Sequence, residues 1–362
     1  MPKKSKKAVD AIEQLVQESH CAESLDEDNR LRLVRRLSSQ LRRTSDELKH
    51  EKAARAQAEE ELVDLADFEQ LVHATQDNVK IRRYSEAKKR TGGKATAIFC
   101  ATDWHAEENV DPATVNGLNE YNLTIARERI QRTFQKFVRL LEFSRGMCNI
   151  KDAVLWLGGD LINGYIHEEL QEANFLGPAD AILWAQSEVA AGLQYLLDNT
   201  DLTFVVTGSI GNHGRTTNRT RSATAAQNSW EWLAYNNLAW HFKSEPRVSW
   251  QLDRSYHNLI DVQGHPIRFH HGDAIRYQGG VGGITIPVNK AIAQWNKAKV
   301  ARFDIFGHWH QFLTTWNFVS VGCLVGHNAY AIRIKADYQR PTQGFVVIDR
   351  EHGPIMSLPV FC

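Results

Sequence analysis

Aspartate, asparagine and histidine recur at one kind of place in this 362-residue chain, directly after short apolar runs. The run 97–100 leads into Asp103 and His105, the run 153–157 into Gly158, Gly159 and Asp160, and the run 202–206 into Gly211, Asn212, His213 and Gly214. The run 266–269 leads into His270, His271, Gly272 and Asp273, and the run 303–306 into Gly307, His308, Trp309 and His310. Carboxylate, amide and imidazole are the ligand types of hard and borderline divalent metals, and such a site needs them to converge from several segments. The interleaved glycines allow tight turns and close backbone approach. Asp103 and His105 stand at i, i+2, as do His308 and His310, so in extended backbone each pair would project to one side and chelate. Asp160, arriving alone after two glycines, has two oxygens and can bridge two ions. Asp103, His105, Asp160, Asn212, one of His270 and His271, His308 and His310 are more ligands than one metal with open positions needs, so two are expected. Ions about 3.5–4 Å apart activate water at neutral pH and clamp both oxygens of an in-line displacement at phosphorus.

The elements that must position these residues are legible as a pattern. Between the apolar runs lie helical stretches at 121–143, 179–197 and 225–237, the first with Ile125, Ile130, Phe134, Phe137, Val138, Leu140 and Leu141 on one side. Two further runs follow at 318–321 and 345–348. Strands alternating with helices predict an α/β domain with helices outside the sheet, whose ligand crevice lies beyond the carboxyl ends of the strands. Residues 1–94 differ: they contain no Trp, no Gly before Gly92 and no Pro after Pro2. Apolar stripes at Val9, Ile12, Leu15 and Val16, at Leu33, Val34, Leu37 and Leu41, and at Leu62, Leu65, Phe68 and Val72 predict amphipathic helices. Thr44 to Glu47 reads as a capping box that restarts a helix, and residues 47–61 offer too few apolar positions to face a core. Such an arm is either solvated or a short coiled coil joining two copies of the chain; a DNA-binding helical module is the third reading. The segment 80–94, with seven cations and one Glu, marks the boundary. The expected organisation is therefore a helical arm over 1–79, a basic linker over 80–94 and the α/β domain over 95–362.

Composition bounds the function. A hydrophobic fraction of 43% is enough to bury a core through most of the chain. Forty-three Lys+Arg balance forty-three Asp+Glu for a formal charge of +0, so bulk charge draws the chain neither to nucleic acid nor to a membrane, and any such attraction must be local. No apolar run approaches the roughly 18–20 residues of a membrane span, and no apolar stretch backs the lysine-rich start, so a soluble cytoplasmic protein is expected. Five cysteines, an odd number without a CxxC pair, indicate neither a disulfide framework nor a zinc-thiolate site.

Taken in order, Asp103-x-His105, Gly159-Asp160, Gly211-Asn212-His213, His271-Gly272 and Gly307-His308-x-His310 resemble the five signature motifs of the calcineurin-like metallophosphoesterase superfamily, over about residues 95–350. The resemblance implies a layered sandwich, two sheets flanked by helices. It implies one ion held by Asp103, His105, Asp160 and His310 and a second by Asp160, Asn212, His271 and His308. His271 is preferred to His270 because it stands directly before Gly272, as in the family, while alternation turns His270 to the opposite face. His213 would face the scissile phosphate as general acid or transition-state stabiliser, which suits imidazole. Gly214 departs from the pattern, since many members carry Asp or Glu there to orient that histidine; Asp273 is one candidate substitute. Imidazole-rich sites favour transition metals over Mg2+, so Mn2+ is the expected ion, with Fe or Zn as alternatives.

The stretches 116–122 and 277–284 further resemble the phage and prophage branch related to the Mre11 and SbcD nucleases. That likeness implies a phage- or prophage-encoded phosphodiesterase acting on DNA. A phosphomonoesterase or protein phosphatase would keep the chemistry and change the substrate, and a non-catalytic oligomeric scaffold would only bind metal. Arg215, Arg219 and Arg221 lie in an acid-free loop after His213 and could hold flanking phosphates, or simply face solvent. Asn163 and His167 follow Asp160 closely enough to reach substrate, although His167 also fits a surface position. Trp104 and Trp309 read as packing or rim residues, His327 as a loop histidine, and the glycines 279–283 as a flap over the pocket or a tight backbone crossing.

Overall fold

The computed structural model describes residues 26–76, 93–276 and 283–362, the side chains of 60–76 excepted. The stripe beginning at Val9, the side chains of the stripe beginning at Leu62, the basic residues 80–92 and Gly279 to Gly282 lie outside the described residues. The chain divides into two units, Met1–Lys88 and Lys89–Cys362.

In the first unit α1 (Glu27–Gln76) is a single 50-residue helix. Asp26 accepts the Asn29 N–H at its start, and Glu27 and Asp28 in the first turn complement the helix dipole. The expected restart at Thr44 does not occur. The Thr44 hydroxyl donates to the Gln40 carbonyl one turn back (3.0 Å), a bond that satisfies Thr44 inside a running helix and leaves nothing to cap. The second apolar stripe is also divided, with Leu33 and Leu37 half-covered and Val34 and Leu41 exposed.

The second unit is a mixed α/β sandwich of two sheets flanked by helices. The first sheet has the order β11-β10-β1-β2-β3-β4, formed by β1 (Lys94–Ala101), β2 (Asn149–Leu157), β3 (Thr203–Gly208), β4 (Val248–Gln251), β10 (Thr342–Asp349) and β11 (Gly353–Phe361). The second has the order β5-β6-β7-β9-β8, formed by β5 (Asn258–Val262), β6 (His265–His270), β7 (Phe303–Phe306), β8 (Leu313–Thr314) and β9 (Phe318–Ser320). Helices α2 (Leu123–Arg145), α4 (Pro178–Asn199) and α5 (Trp230–His241) cover the first sheet, and α6 (Thr285–Trp295) covers the second. The short helices α3 (Glu168–Ala173) and α7 (Ala329–Ile334) complete the set.

Strand alternation builds the layers. Phe99 and Leu155 point into the helix-covered core, while Ile98, Val154 and Trp156 meet Phe269, Phe303 and Ile305 between the sheets. Because both faces are buried, these strands read as continuous apolar runs. Helix starts follow capping: Asn122 accepts the Thr124 and Ile125 N–H groups, and Ser229 accepts that of Trp232. The third helix accordingly begins at Trp230, five residues later than the periodicity alone placed it, after a 3-10 turn at Ala226–Asn228.

Register brings the catalytic-type residues to one level. β1, β2 and β3 are parallel, with Ala101 opposite Leu157 and Leu157 opposite Gly208, so Asp103, Asp160 and Asn212 all follow the same edge. In the second sheet β6 and β7 are parallel with His270 opposite Phe306, which aligns His271 with His308. Arg268 and Asp304 are cross-strand partners in that pair, both almost fully buried, and join by Nε to Oδ1 at 2.7 Å and Nη2 to Oδ2 at 3.1 Å. Removing one member strands the other charge in the core. Asp304→Ala is expected to cost about 3–5 kcal/mol in urea unfolding, whereas the double change Arg268→Met with Asp304→Leu should recover most of that loss.

Candidate metal centre

Two clusters form where the sheets' carboxyl ends meet. Ligand atoms of Asp103, His105 and His310 lie within 4.8 Å of one another, as do those of Asp160, His271 and His308. Asn212 joins the second through Oδ1, 3.2 Å from His271 Nε2. All seven residues expected to hold metal are thus brought together in one crevice.

The way the backbone presents them differs from the extended pairs read from spacing. Asp103, His105, Asp160, His308 and His310 all have positive φ, between 45° and 69°. This left-handed conformation costs a non-glycine residue energy and concentrates at functional sites. The i, i+2 pairs are presented by two left-handed residues flanking a tryptophan, not by strand alternation: Asp103 and His105 turn into one cluster, while His308 and His310 divide between the two. The loops are tied by backbone bonds from Asp103 N to Gly159 O (2.9 Å) and His105 N to Asp160 O (3.0 Å). Asp103 also links the sheets, since both its oxygens accept the His308 N–H at 3.0 Å. Two glycines are required by this crowding: a Cβ at Gly211 would overlap Oδ1 of Asp160, and one at Gly307 would overlap Oδ2 of Asp103.

The imidazoles are oriented for metal. His271 Nδ1 donates to the Gly158 carbonyl (2.8 Å), which leaves Nε2 facing Asp160 Oδ2 at 3.0 Å. His105 Nδ1 meets Asn163 Oδ1 (3.0 Å), and its Nε2 lies 3.1 Å from His310 Nε2. Two imidazole nitrogens converging on one point beside Asp103 fit a shared cation, and fixing the outer nitrogen is how proteins set a metal-binding tautomer. Burial pushes His105 down to about 3 and His308 down to about 4, so both are neutral and ligand-competent. Burial opposes ionisation of Asp103 and Asp160. The hydrogen bond from His310 nonetheless holds Asp103 below the carboxylate range, and the charge of His271 holds Asp160 well below it. The residues present fit a pair of divalent cations.

His213 stands at the rim of this group, its ring 4.6 Å from that of His105 and edge-on to it. Its N–H donates to Asp160 Oδ1 (2.7 Å) and its Nδ1 to the Asn163 carbonyl (2.8 Å). Asp273 is therefore not the group that orients this ring; a backbone carbonyl is. Gly214 also acquires a reason, because a Cβ there would lie 2.8 Å from Cδ and Cγ of Glu231. Glu231 is fully buried and accepts the Leu161 (2.8 Å) and Gly211 (2.7 Å) N–H groups, tying the Asp160 and Asn212 loops together. Sequence reasoning missed it, although it shares a face with Ala234, Tyr235 and Leu238 at i+3, i+4 and i+7.

Other expected contacts are redistributed. Asn163 orients the two histidines rather than facing substrate, and its Nδ2 donates to Asn174 Oδ1 (2.8 Å). His167 is exposed at the start of α3. Arg215 is occupied by its own loop, with Nη1 donating to the Asn212 carbonyl and Nε to that of Thr217, whereas Arg219 and Arg221 are exposed. Trp104 is packed, with Nε1 donating to Gln343 Oε1 at 3.2 Å, and Trp309 is half-buried. His270 is buried on the opposite face, stacked on Phe306 at 5.1 Å. His327 uses its carbonyl to accept from Asn119 (2.8 Å).

No known protein-family profile matches the chain, and no curated protein matches it. Among solved structures, a predicted phosphoesterase from Streptococcus pneumoniae is 9% identical over 75% of this chain and 98% of its own, with a TM-score of 0.29. Vps29 from Entamoeba histolytica in complex with zinc is 9% identical over 74% and 99%, at 0.31. A hypothetical protein from Pyrococcus horikoshii is 10% identical over 74% and 88%, at 0.35. No helix among the described residues is long and apolar enough to cross a membrane.

Glu107, also missed from sequence, holds the next loop by accepting the Asn163 (2.9 Å) and Gly164 (2.7 Å) N–H groups. Burial raises its carboxyl from 4.5 to about 7. A raised folded-state value means that its contribution is complete below about pH 4.5 and is lost as pH rises through 7. In metal-stripped protein the stability of wild type relative to Glu107→Gln should fall by on the order of 3 kcal/mol between pH 4.5 and 8, read by urea titration.

Proposed function

We propose that the chain is a dinuclear metal-dependent phosphodiesterase of the calcineurin-like class that cleaves DNA, in the manner of the Mre11 and SbcD nucleases. The observation that carries this reading is the pair of triads, Asp103, His105 and His310 beside Asp160, His271 and His308, each with two buried members, one half-buried histidine and ligand atoms within 4.8 Å. Two divalent ions, Mn2+ by preference, would supply charge neutralisation at phosphorus and activation of water there. Asp160, in the second triad, is the residue proposed to help hold both ions.

The remaining steps belong to the protein's own groups. His213 keeps Nδ1–H on the Asn163 carbonyl, so Nε2 is the nitrogen left to act. Burial pushes the His213 imidazole below its ordinary value, against Asp160 and the Asn163 carbonyl, which favour the cation; protonated at Nε2, it would give that proton to the departing oxygen. The Asn163 carbonyl thus does the work that an acidic residue at position 214 would do. Arg219 and Arg221, exposed in the acid-free loop after this turn, are proposed to meet phosphates flanking the scissile bond.

Mn2+-loaded protein is expected to cleave linear single- or double-stranded DNA and to prefer bis- over mono-p-nitrophenyl phosphate. Asp160→Asn should abolish turnover and lower bound metal. Mono-ester turnover with intact DNA would move the substrate to a phosphatase. His213→Ala should reduce turnover by roughly 10²–10⁴-fold with both ions retained by elemental analysis, and loss of metal would instead make His213 a ligand.

A further inference from the structure

A second cationic feature lies on the other side of the metal centre from the Arg219 and Arg221 loop. At the same edge of the first sheet, where Thr342 pairs with Phe361, α2 and the segment 338–341 enclose a cleft of about 420 Å3. Arg132, Lys136 and Arg340 line it together with His327, Tyr338 and Phe361, and no Asp or Glu side chain lies among its described lining residues. In a chain whose formal charge is +0, that is a local excess of one sign. The aromatic faces are open to solvent, Tyr338 being 54% and Phe361 50% exposed, and His327 stands edge-on to Tyr338 with ring centroids 5.5 Å apart.

One loop separates the cleft from the centre. The Leu324 N–H donates to the Asp103 carbonyl (2.9 Å), and the Leu324 carbonyl accepts from Arg129 Nη1 (2.9 Å) in the cleft wall. Arg129 also donates to Val325 and Glu120 carbonyls and to Asn119 Oδ1, so it braces the wall. Arg132 and Arg340 are exposed and point their charge to solvent. In the order β11-β10-β1-β2-β3, the cleft sits beyond β10 and β11, the metal residues follow β1 and β2, and the arginine loop follows β3. A chain of phosphates crossing the metal centre would therefore meet cations on both sides, whereas a small ester would meet neither. Cations that track a backbone, next to exposed rings on which bases can stack, are what single-stranded nucleic acid requires.

We propose that this cleft is a subsite for a polynucleotide strand leaving the metal centre, with Arg132 and Arg340 on its phosphates and Tyr338 against a base. The assignment rests on the phosphodiesterase reading for its register but is testable without turnover. Three proteins are compared, wild type, Arg132→Ser with Arg340→Ser, and Tyr338→Ala, using fluorescence anisotropy with labelled oligo(dT) and, separately, hydrolysis of bis-p-nitrophenyl phosphate. The expected result is bis-ester hydrolysis unchanged in every variant, oligo(dT) binding weakened on the order of tenfold in the double variant, and its salt dependence reduced by about 1.4 in log–log slope, two phosphates' worth for a single strand. Tyr338→Ala should weaken binding with the slope intact. Unchanged affinity and slope in the double variant, failure of wild type to bind oligo(dT), or tighter binding of poly-glutamate than of oligo(dT) would each overturn the subsite. A parallel fall in bis-ester hydrolysis would also overturn it by making these residues part of the metal centre's support. Binding lost in the double variant, with no cleavage of DNA by wild type, would uphold the subsite and remove the nuclease reading.

Discussion

Two carboxylates withdrawn from water beside one another, Asp103 and Asp160, set the terms for the second unit. Each is almost fully buried, and each raises the cost of ionising the other. A buried charge is tolerated only when it is paired and hydrogen-bonded. The surrounding groups answer that requirement: Asp103 receives the His308 N–H and the Thr102 hydroxyl (2.7 Å), and Asp160 receives the His213 N–H and faces His271. Because those donors come from both sheets, compensating the charge and closing the sandwich are the same event.

The backbone carries the cost of that convergence. Five of the seven ligand-type residues are in left-handed conformation, and glycines stand where a Cβ would strike a carboxylate oxygen. Such strain persists only where the surroundings overdetermine it. Here they do so through buried acids placed one layer out. Glu231 ties the Leu161 and Gly211 amides, Glu107 ties those of Asn163 and Gly164, and Asn163 in turn orients both His105 and His213. The glycine at 214 belongs to the same economy of space, because Glu231 already fills the volume that a side chain there would need.

Charge balance over the whole chain conceals a division by place. Negative charge is concentrated and buried at the metal centre, while exposed cations lie in the loop after β3 and in the cleft beyond β10 and β11. Exposed cations of this kind are what the proposed polynucleotide would meet, and the buried carboxylates are what the proposed metal pair would neutralise. It also makes salt concentration a natural variable for separating polymer binding from chemistry, since exposed contacts are screened and buried ones are not.

Much of this was legible in the sequence. Apolar runs ending in Asp, Asn or His reported strands with ligand-type residues at their carboxyl ends, because strand period and side-chain chemistry are both local properties of residue type. The continuity of α1 through Thr44 was not, since a hydroxyl that could cap a helix equally well bonds back into it. Nor was the left-handed backbone at Asp103 and His105, or the replacement of an expected acid beside His213 by the Asn163 carbonyl. Carboxylates such as Glu107 and Glu231 look like ordinary surface charges until the fold removes water from them. What the sequence by itself determined was which carboxylates, amides and imidazoles gather at the strand ends and which strands deliver them. The angles at which they meet, and the groups that hold those angles, were decided only by tertiary structure, because they depend on contacts between segments far apart in the chain.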